Sequence, residues 1–152
     1  MATRTECKYS VFDIAEYFIF NAAKDDQELL SNLKLQKLVY YAQGLHLAIY
    51  NKSLFDEKII AWQYGPVVPE LYHKYKSNGS KGIPSQKKYD PSLIDKKTRE
   101  FLNEVYDAFG QFSAVRLMEL AHSDKCWIDA GIGNEIKHQA MASCLKQYLK
   151  NG

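Results

Sequence analysis

One amphipathic stretch, residues 33–50, constrains what this chain can fold into more than any other part of the sequence. Its apolar side chains recur at steps of three and four over about four turns, which is the spacing of one stripe of an α-helix. The stripe consists of Leu35, Leu38, Val39, Ala42, Leu45, His46 and Ile49. The opposite, polar face consists of Lys34, Lys37, Gln43 and Asn51. Ser31 can cap this helix, and Tyr40 and Tyr41 widen its buried face. We therefore predict a central core helix here.

Five further segments have the apolar spacing of helices. Their predicted first residues are Ser10, Pro66, Ser92, Ser113 and Lys137. Ser10 with Asp13 three residues later is close to a capping box, and Pro66 has the fixed φ that suits a first helical position. Ser113 caps a short helix that stops near His122. After a turn, we expect Trp127 and Ile128 to pack into the core.

Residues 58–63 are rich in β-branched and aromatic side chains and too few for another long helix, so we interpret them as a strand. Gly65 and Pro66 end it. Residues 77–91 mix glycine, proline, serine and lysine, a composition typical of a mobile surface loop. The predicted fold is one compact, mostly α domain of about six helices. A small extended element lies between the second and third helices.

The length and composition of the chain fit a single domain spanning residues 1–152. A net charge of +2 argues against nonspecific binding of nucleic acid by the whole surface. Cys7, Cys126 and Cys144 cannot all pair with one another, and none lies in a Cys-x-x-Cys spacing, which favours a reducing compartment. Since the sequence has neither a leader-like apolar run nor a segment of bilayer-spanning length, we expect a cytoplasmic protein that does not bind membranes.

Two short sequences and one spacing carry a resemblance to a known family. Residues 35–44 read LQKLVYYAQG, residues 61–67 read AWQYGPV, and a serine-capped helix ends at His122, five residues before Trp127. Together they resemble the Panacea domain of GepA-type phage-associated proteins and SocA-like antitoxins, over about residues 10–148. Cys126 stands where the family pattern has a proline, which we expect to loosen that turn.

The resemblance implies a protein that acts by binding another protein and not as an enzyme. Its implied partner is a cognate protein toxin encoded by a neighbouring gene. The SocA-like branch implies a second task, which is to present the bound toxin to a ClpXP-type protease. Neither the resemblance nor any sequence motif implies a cofactor or a metal.

The candidate partner-binding residues combine ring area or chain length with polar ends. They are Lys37, Tyr40, Tyr41, Trp62, Gln63, Tyr64 and Tyr72. Such side chains suit a protein interface and equally suit the edge of the core that contacts solvent. Ser31, Gly65, Pro66, Ser113, His122 and Trp127 are expected to be structural.

A regulator of a phage or other mobile genetic element, which binds nucleic acid through the lysine-rich loop at residues 74–88, is the alternative function. This loop carries Lys74, Lys76, Lys81, Lys87 and Lys88. Lysine neutralises phosphate, and the neighbouring Tyr75 and Tyr89 could stack on bases. A solvated loop, or a patch for an acidic protein, would have the same composition.

His122 and Cys126 are the remaining candidates for chemistry. Two ligands do not make a zinc site, and a Cys-His pair lacks the third group that orients a catalytic base. We expect instead that the His122 ring hydrogen-bonds at the end of its helix and packs on Trp127. His46 is interpreted as a satisfied core residue, because it lies on the apolar stripe.

Overall fold

The computed structural model describes residues 7–24 and 29–149, so the first residues, on which the leader argument depends, lie outside it. Seven α-helices and one antiparallel pair of strands occur in this described part. The elements are α1 (Val11–Lys24), α2 (Asn32–Tyr50), β1 (Ile60–Trp62), β2 (Gly65–Val67), α3 (Pro69–Tyr75), α4 (Lys96–Phe109), α5 (Ala114–His122), α6 (Lys125–Ala130) and α7 (His138–Leu145). Short 3-10 turns lie at Lys76–Asn78, Pro91–Leu93 and Lys146–Leu149. The predicted mostly α class, with a small β element between the second and third helices, is confirmed.

Helix α2 is the central helix that the sequence predicted, since α1, α3, α4, α5, α7 and β2 all pack against it. The Ser31 cap is confirmed, because its hydroxyl accepts a hydrogen bond from the Lys34 amide at 3.2 Å. The predicted polar face is wrong for Lys37 and Gln43, which are both fully buried. Gln43 holds the following loop inside the core, donating to the Phe55 carbonyl at 2.7 Å.

The predicted helix starts at Ser10, Ser113 and Lys137 are confirmed, the last as the N-cap of α7, and the predicted start of α4 is not. Ser10 and Asp13 form the capping box, with amide-to-side-chain distances of 2.9 and 3.3 Å. The Ser113 hydroxyl accepts from the Arg116 amide at 3.0 Å. Ser92 lies in a 3-10 turn instead, and α4 begins after Asp95, whose carboxylate caps the Thr98 amide at 3.1 Å. An extended Ile94 enters the core between them.

Residues 60–67 form a β-hairpin that the sequence predicted only in part. The strand expected at residues 58–63 is confirmed as β1, which pairs with β2 so that Trp62 lies opposite Gly65. The predicted helix start at Pro66 is wrong, because Pro66 lies in β2 and Pro69 takes the first position of α3. Gly65 has a φ of +104°, a backbone conformation that glycine adopts readily. The chain therefore reverses through the turn at Gln63 and Tyr64, directly before Gly65, instead of entering a helix.

The second half of the chain adds a helix that the sequence missed. Helix α6 is short, and its Trp127 is half-buried against the core. The expected burial of Ile128 is wrong, because 54% of this residue is exposed. The loop at residues 77–91 is largely irregular, as predicted, and it is fixed at Ile83, which is buried and donates its amide to the Leu30 carbonyl at 2.7 Å. Among the helices described, none is long and apolar enough to cross a bilayer.

Gly44 lies where α2 packs against α7. A methyl group on its Cα would lie 2.1 Å from Leu145 Cδ1. We expect Gly44→Ala to lower the free energy of unfolding by about 1–3 kcal/mol, because overpacking outweighs the gain in helix propensity of about 1 kcal/mol. Urea unfolding measures the change. The double variant with Leu145→Ala should lose less than the two single losses combined, whereas strictly additive losses would contradict this contact.

Candidate partner-binding surface

Four of the predicted partner-binding residues lie together at the hairpin. We call Trp62, Gln63, Tyr64 and Tyr72 the hairpin surface. The rings of Trp62 and Tyr72 meet edge to face, with centroids 5.2 Å apart. Tyr64 is 57% exposed at the turn, and Gln63 beside it is also exposed. A groove of about 350 Å³ runs along three of these residues. It is lined by Asn32, Leu33, Trp62, Tyr64, Val67, Tyr72, Lys76, Gly79 and Ser80.

Two side chains from the second half of the chain hold the hairpin turn in place. His122 Nε2 lies 2.8 Å from the Gln63 carbonyl oxygen, so this nitrogen must carry the hydrogen and donate it. Trp127 Nε1 donates to the Trp62 carbonyl at 3.0 Å. The expected packing of His122 on Trp127 is confirmed, with ring centroids 4.4 Å apart. The expected bond of His122 to its own helix end is wrong, because the ring bonds to the hairpin. Tyr64 is therefore presented on a backbone tied to α5 and α6.

Lys37, which the sequence placed at the interface, lies beneath the hairpin instead. It is fully buried, and no hydrogen-bond partner for its Nζ occurs among the described side chains and backbone. A Cβ on Gly65 would lie 2.6 Å from Lys37 Cε, so the absence of a side chain at Gly65 makes room for the lysine. Burial lowers the pKa of Lys37 to about 7. In this conformation Lys37 cannot contact a partner.

Tyr40 and Tyr41 are likewise core residues and not surface residues. Both are fully buried, and their hydroxyls donate to Asp124 Oδ2 at 2.8 and 2.9 Å. Tyr148 donates to Asp124 Oδ1 at 2.6 Å, and the Tyr41 ring stacks on Phe109 with centroids 4.3 Å apart. Burial raises the pKa of Asp124, and the three hydroxyls oppose that rise. No pattern in the sequence indicated this carboxylate, which joins α2 to the C-terminal part of the chain.

Comparison with known proteins places these features in one family. The family model described as "Antitoxin SocA-like, Panacea domain" matches residues 35–128, which include most of α2, the hairpin and both side chains that hold it. The chain belongs to this Panacea family. Antitoxin SocA of Caulobacter vibrioides (strain NA1000 / CB15N) is 33% identical over 104 residues, covering 62% of this chain and 55% of that protein. The chain thus spans about half the length of this curated relative. No solved structure matches the chain significantly.

The lysine-rich segment of this Panacea protein exposes its charges more fully than its aromatic rings. Its five lysines are all exposed: Lys74, Lys76, Lys81, Lys87 and Lys88. Lys74 Nζ lies 5.5 Å above the Phe12 ring, and Lys76 borders the hairpin groove. Tyr75 and Tyr89, the rings expected to stack on bases, are partly buried against the core. The rings that would have favoured nucleic acid over a plain cationic loop are therefore only partly exposed.

In this Panacea structure, His122 and Cys126 have different surroundings and different partners. His122 turns to the hairpin, whereas the Cys126 thiol lies 3.2 Å from the Tyr40 hydroxyl in the core. Burial raises the pKa of the Cys126 thiol to about 12, which keeps it protonated and a poor nucleophile. No cluster of three metal-ligating side chains was found within the described ranges. The turn at Cys126, which we expected to be loose, is part of a helix. The Cys126 amide donates a hydrogen bond to Cys144 Sγ at 3.2 Å, and a proline at this position could not make that bond.

Proposed function

We propose that this protein is an antitoxin that neutralises a cognate protein toxin by direct binding, in the cytosol and without catalysis. Membership of the SocA-like Panacea family supports the role, and the hairpin surface supplies a place for the contact. The observation that carries the proposal is an exposed aromatic turn whose backbone is anchored at two carbonyls.

Aromatic side chains suit this task, because a few large rings supply most of the binding energy of a typical interface. Trp62, Tyr64, Tyr72 and Lys76 line the groove, and Gln63 is exposed in the turn beside Tyr64. An anchored turn also has less conformational freedom to lose on binding, which favours affinity. A toxin with an apolar protrusion that fills the groove would fit this surface.

Growth of cells tests the proposed role directly. Each gene adjacent to the one that encodes this protein is expressed, with and without this protein, in the same host. We expect one neighbour to arrest growth, this protein to restore it, and the two proteins to purify together. If no neighbour arrests growth, or if co-expression fails to restore it, the antitoxin proposal fails. A salt titration of DNA binding, with Lys81, Lys87 and Lys88 neutralised, then examines the nucleic-acid alternative.

As part of the same proposal, the protein also delivers its toxin to a ClpXP-type protease. The support for this step is the resemblance to SocA-like antitoxins. The half-life of the toxin separates delivery from simple sequestration. Delivery predicts that this protein shortens the half-life in cells that have ClpXP and leaves it unchanged in cells that lack it. An unchanged half-life in both strains, with growth restored, would leave sequestration alone.

A further inference from the structure

A second apolar groove lies at the opposite end of α2 from the hairpin surface. Its volume is about 490 Å³. We call it the distal groove, and it is lined by Leu45, Ile49, Phe101, Glu104, Val105, Ala108, Phe109, Phe112, Leu120, Tyr148 and Leu149. Phe101, Val105 and Phe109 form a buried floor from one face of α4. Ile49 is 46% exposed at the rim, and Ala108 is exposed there too. The volume is in the range of protein binding sites, about 300–1,000 Å³.

One end of the distal groove is basic. Phe101 also lines an adjoining pocket of about 220 Å³, together with His46, Tyr50, Lys52, Lys97 and Thr98. His46 is half-buried there and not in the core, its Nδ1 lying 2.6 Å from the Lys52 carbonyl oxygen. Burial and the two lysines lower the pKa of His46, which favours the neutral ring. The charge of this pocket therefore comes from Lys52 and Lys97.

No described carboxylate forms an ion pair with Lys52 or Lys97, although Glu100 lies exposed about one helical turn beyond Lys97 on α4. Asp95, the acid next to the pocket, accepts bonds from Tyr9 and Thr98 and lies 3.9 Å from Lys8 Nζ. Glu104 lines the apolar part, about two helical turns beyond Lys97 along α4. Lys97 Nζ lies 5.1 Å above the Tyr50 ring, and the structure gives it no ion-pair partner among the described carboxylates. The groove thus combines an apolar channel with one cationic end.

The two grooves share no lining residue, and they reach opposite ends of α2. Helix α2 has 19 residues and is therefore about 28 Å long. Asn32 and Leu33 line the hairpin groove at its start, whereas Ile49 and Tyr50 line the distal sites at its end.

We propose that the distal groove docks an amphipathic helical segment of a protein partner other than the toxin, with carboxylates at one end. Apolar side chains three and four residues apart fill the channel along α4, and the carboxylates lie against Lys52 and Lys97. Charge complementarity is the reason for proposing a partner segment that is both apolar and acidic. A wholly apolar segment leaves both ammonium groups unpaired, and an acidic segment without apolar anchors leaves the channel empty. This site does not depend on the antitoxin role.

A matched pair of synthetic peptides tests the site. Both carry leucines on one helical face, and they differ only in two glutamates or two lysines in the first turn. Fluorescence anisotropy at low salt measures their affinities for the full chain. We expect the acidic peptide to bind about 10-fold more tightly, a difference of roughly 1.4 kcal/mol. The double variant Lys52→Glu/Lys97→Glu should remove or reverse this preference.

Three exposed positions serve as blocking and control variants. Ala108→Arg fills the groove and should weaken binding of both peptides, whereas Val115→Arg, on an exposed face outside the groove, and Tyr64→Asp, at the hairpin, should not. Unchanged melting temperatures establish that the variants fold. Equal affinity for the two peptides, no binding of either, or equal effects of Ala108→Arg and Val115→Arg would overturn the proposal. Concentration-dependent dimers that Ala108→Arg abolishes would overturn it in favour of a second copy of this chain.

Discussion

Replacing Lys37 with methionine is expected to raise the free energy of unfolding at pH 7 by about 3–5 kcal/mol. Burial lowers the pKa of this lysine from 10.5 to about 7, and each unit corresponds to about 1.4 kcal/mol. The side chain is fully buried, so solvent does not screen this cost. Methionine has a similar shape and leaves out the amine that has no partner among the described residues.

The same substitution should change how stability depends on pH. Between about pH 7 and pH 10 the unfolded chain holds the Lys37 proton and the folded chain releases it, so the unfolded state binds more protons. The stability contribution of Lys37 therefore rises with pH across this window, and it is constant below it. In urea unfolding at pH 7, 8 and 9, the free energy of unfolding of the wild-type protein should come closer to that of Lys37→Met at each step. Lys76→Met, at an exposed lysine, is the matched control. A constant difference between wild type and Lys37→Met would contradict a neutral buried amine.

Replacing Asp124 with alanine is expected to lower the free energy of unfolding by about 3–6 kcal/mol. The substitution leaves three tyrosine hydroxyls without their acceptor, two of them on fully buried residues, and each orphaned group costs about 1–3 kcal/mol. Asp124→Asn should cost less than half as much. Its amide oxygen can accept from Tyr40 and Tyr41, and its amide nitrogen can donate to the Tyr148 hydroxyl.

Chemical denaturation of the three proteins measures both effects. A loss below about 1 kcal/mol for Asp124→Ala would contradict the central role of this carboxylate, because the tyrosines would then have found other partners. Tyr148→Phe removes a single, partly exposed donor and serves as the graded control, with an expected loss of about 1 kcal/mol.

The parts of the fold that depend on local chemistry could be predicted from the sequence. The stripe of α2 and the caps at Ser10, Ser31 and Ser113 involve residues a few positions apart, so propensity and spacing indicate them. The hairpin could not be predicted in full. Pro66 and Pro69 both suit a first helical position, and only the pairing of β2 with β1 decides between them.

The same limit applies to the candidate site. Lys37, Tyr40 and Tyr41 look like interface residues in sequence, because their polar ends normally seek water. The acceptor for both tyrosines is Asp124, more than eighty residues further along the chain, and the pocket for Lys37 exists because Gly65 lacks a side chain. Spacing along one helix cannot reveal such distant partners. The exposed turn at Tyr64 could be predicted, because the adjacent Gly-Pro pair is visible in the sequence.

The central claim is that the hairpin surface binds the toxin, and its most direct measurement is the affinity for the growth-arresting neighbour. Calorimetry compares wild type, Tyr64→Asp and the control Val115→Asp, an equally exposed apolar position on α5. We expect Tyr64→Asp to weaken binding by at least about 30-fold, roughly 2 kcal/mol, without lowering the melting temperature. Val115→Asp should bind as the wild type does. Wild-type affinity in Tyr64→Asp, with the fold intact, would contradict the claim.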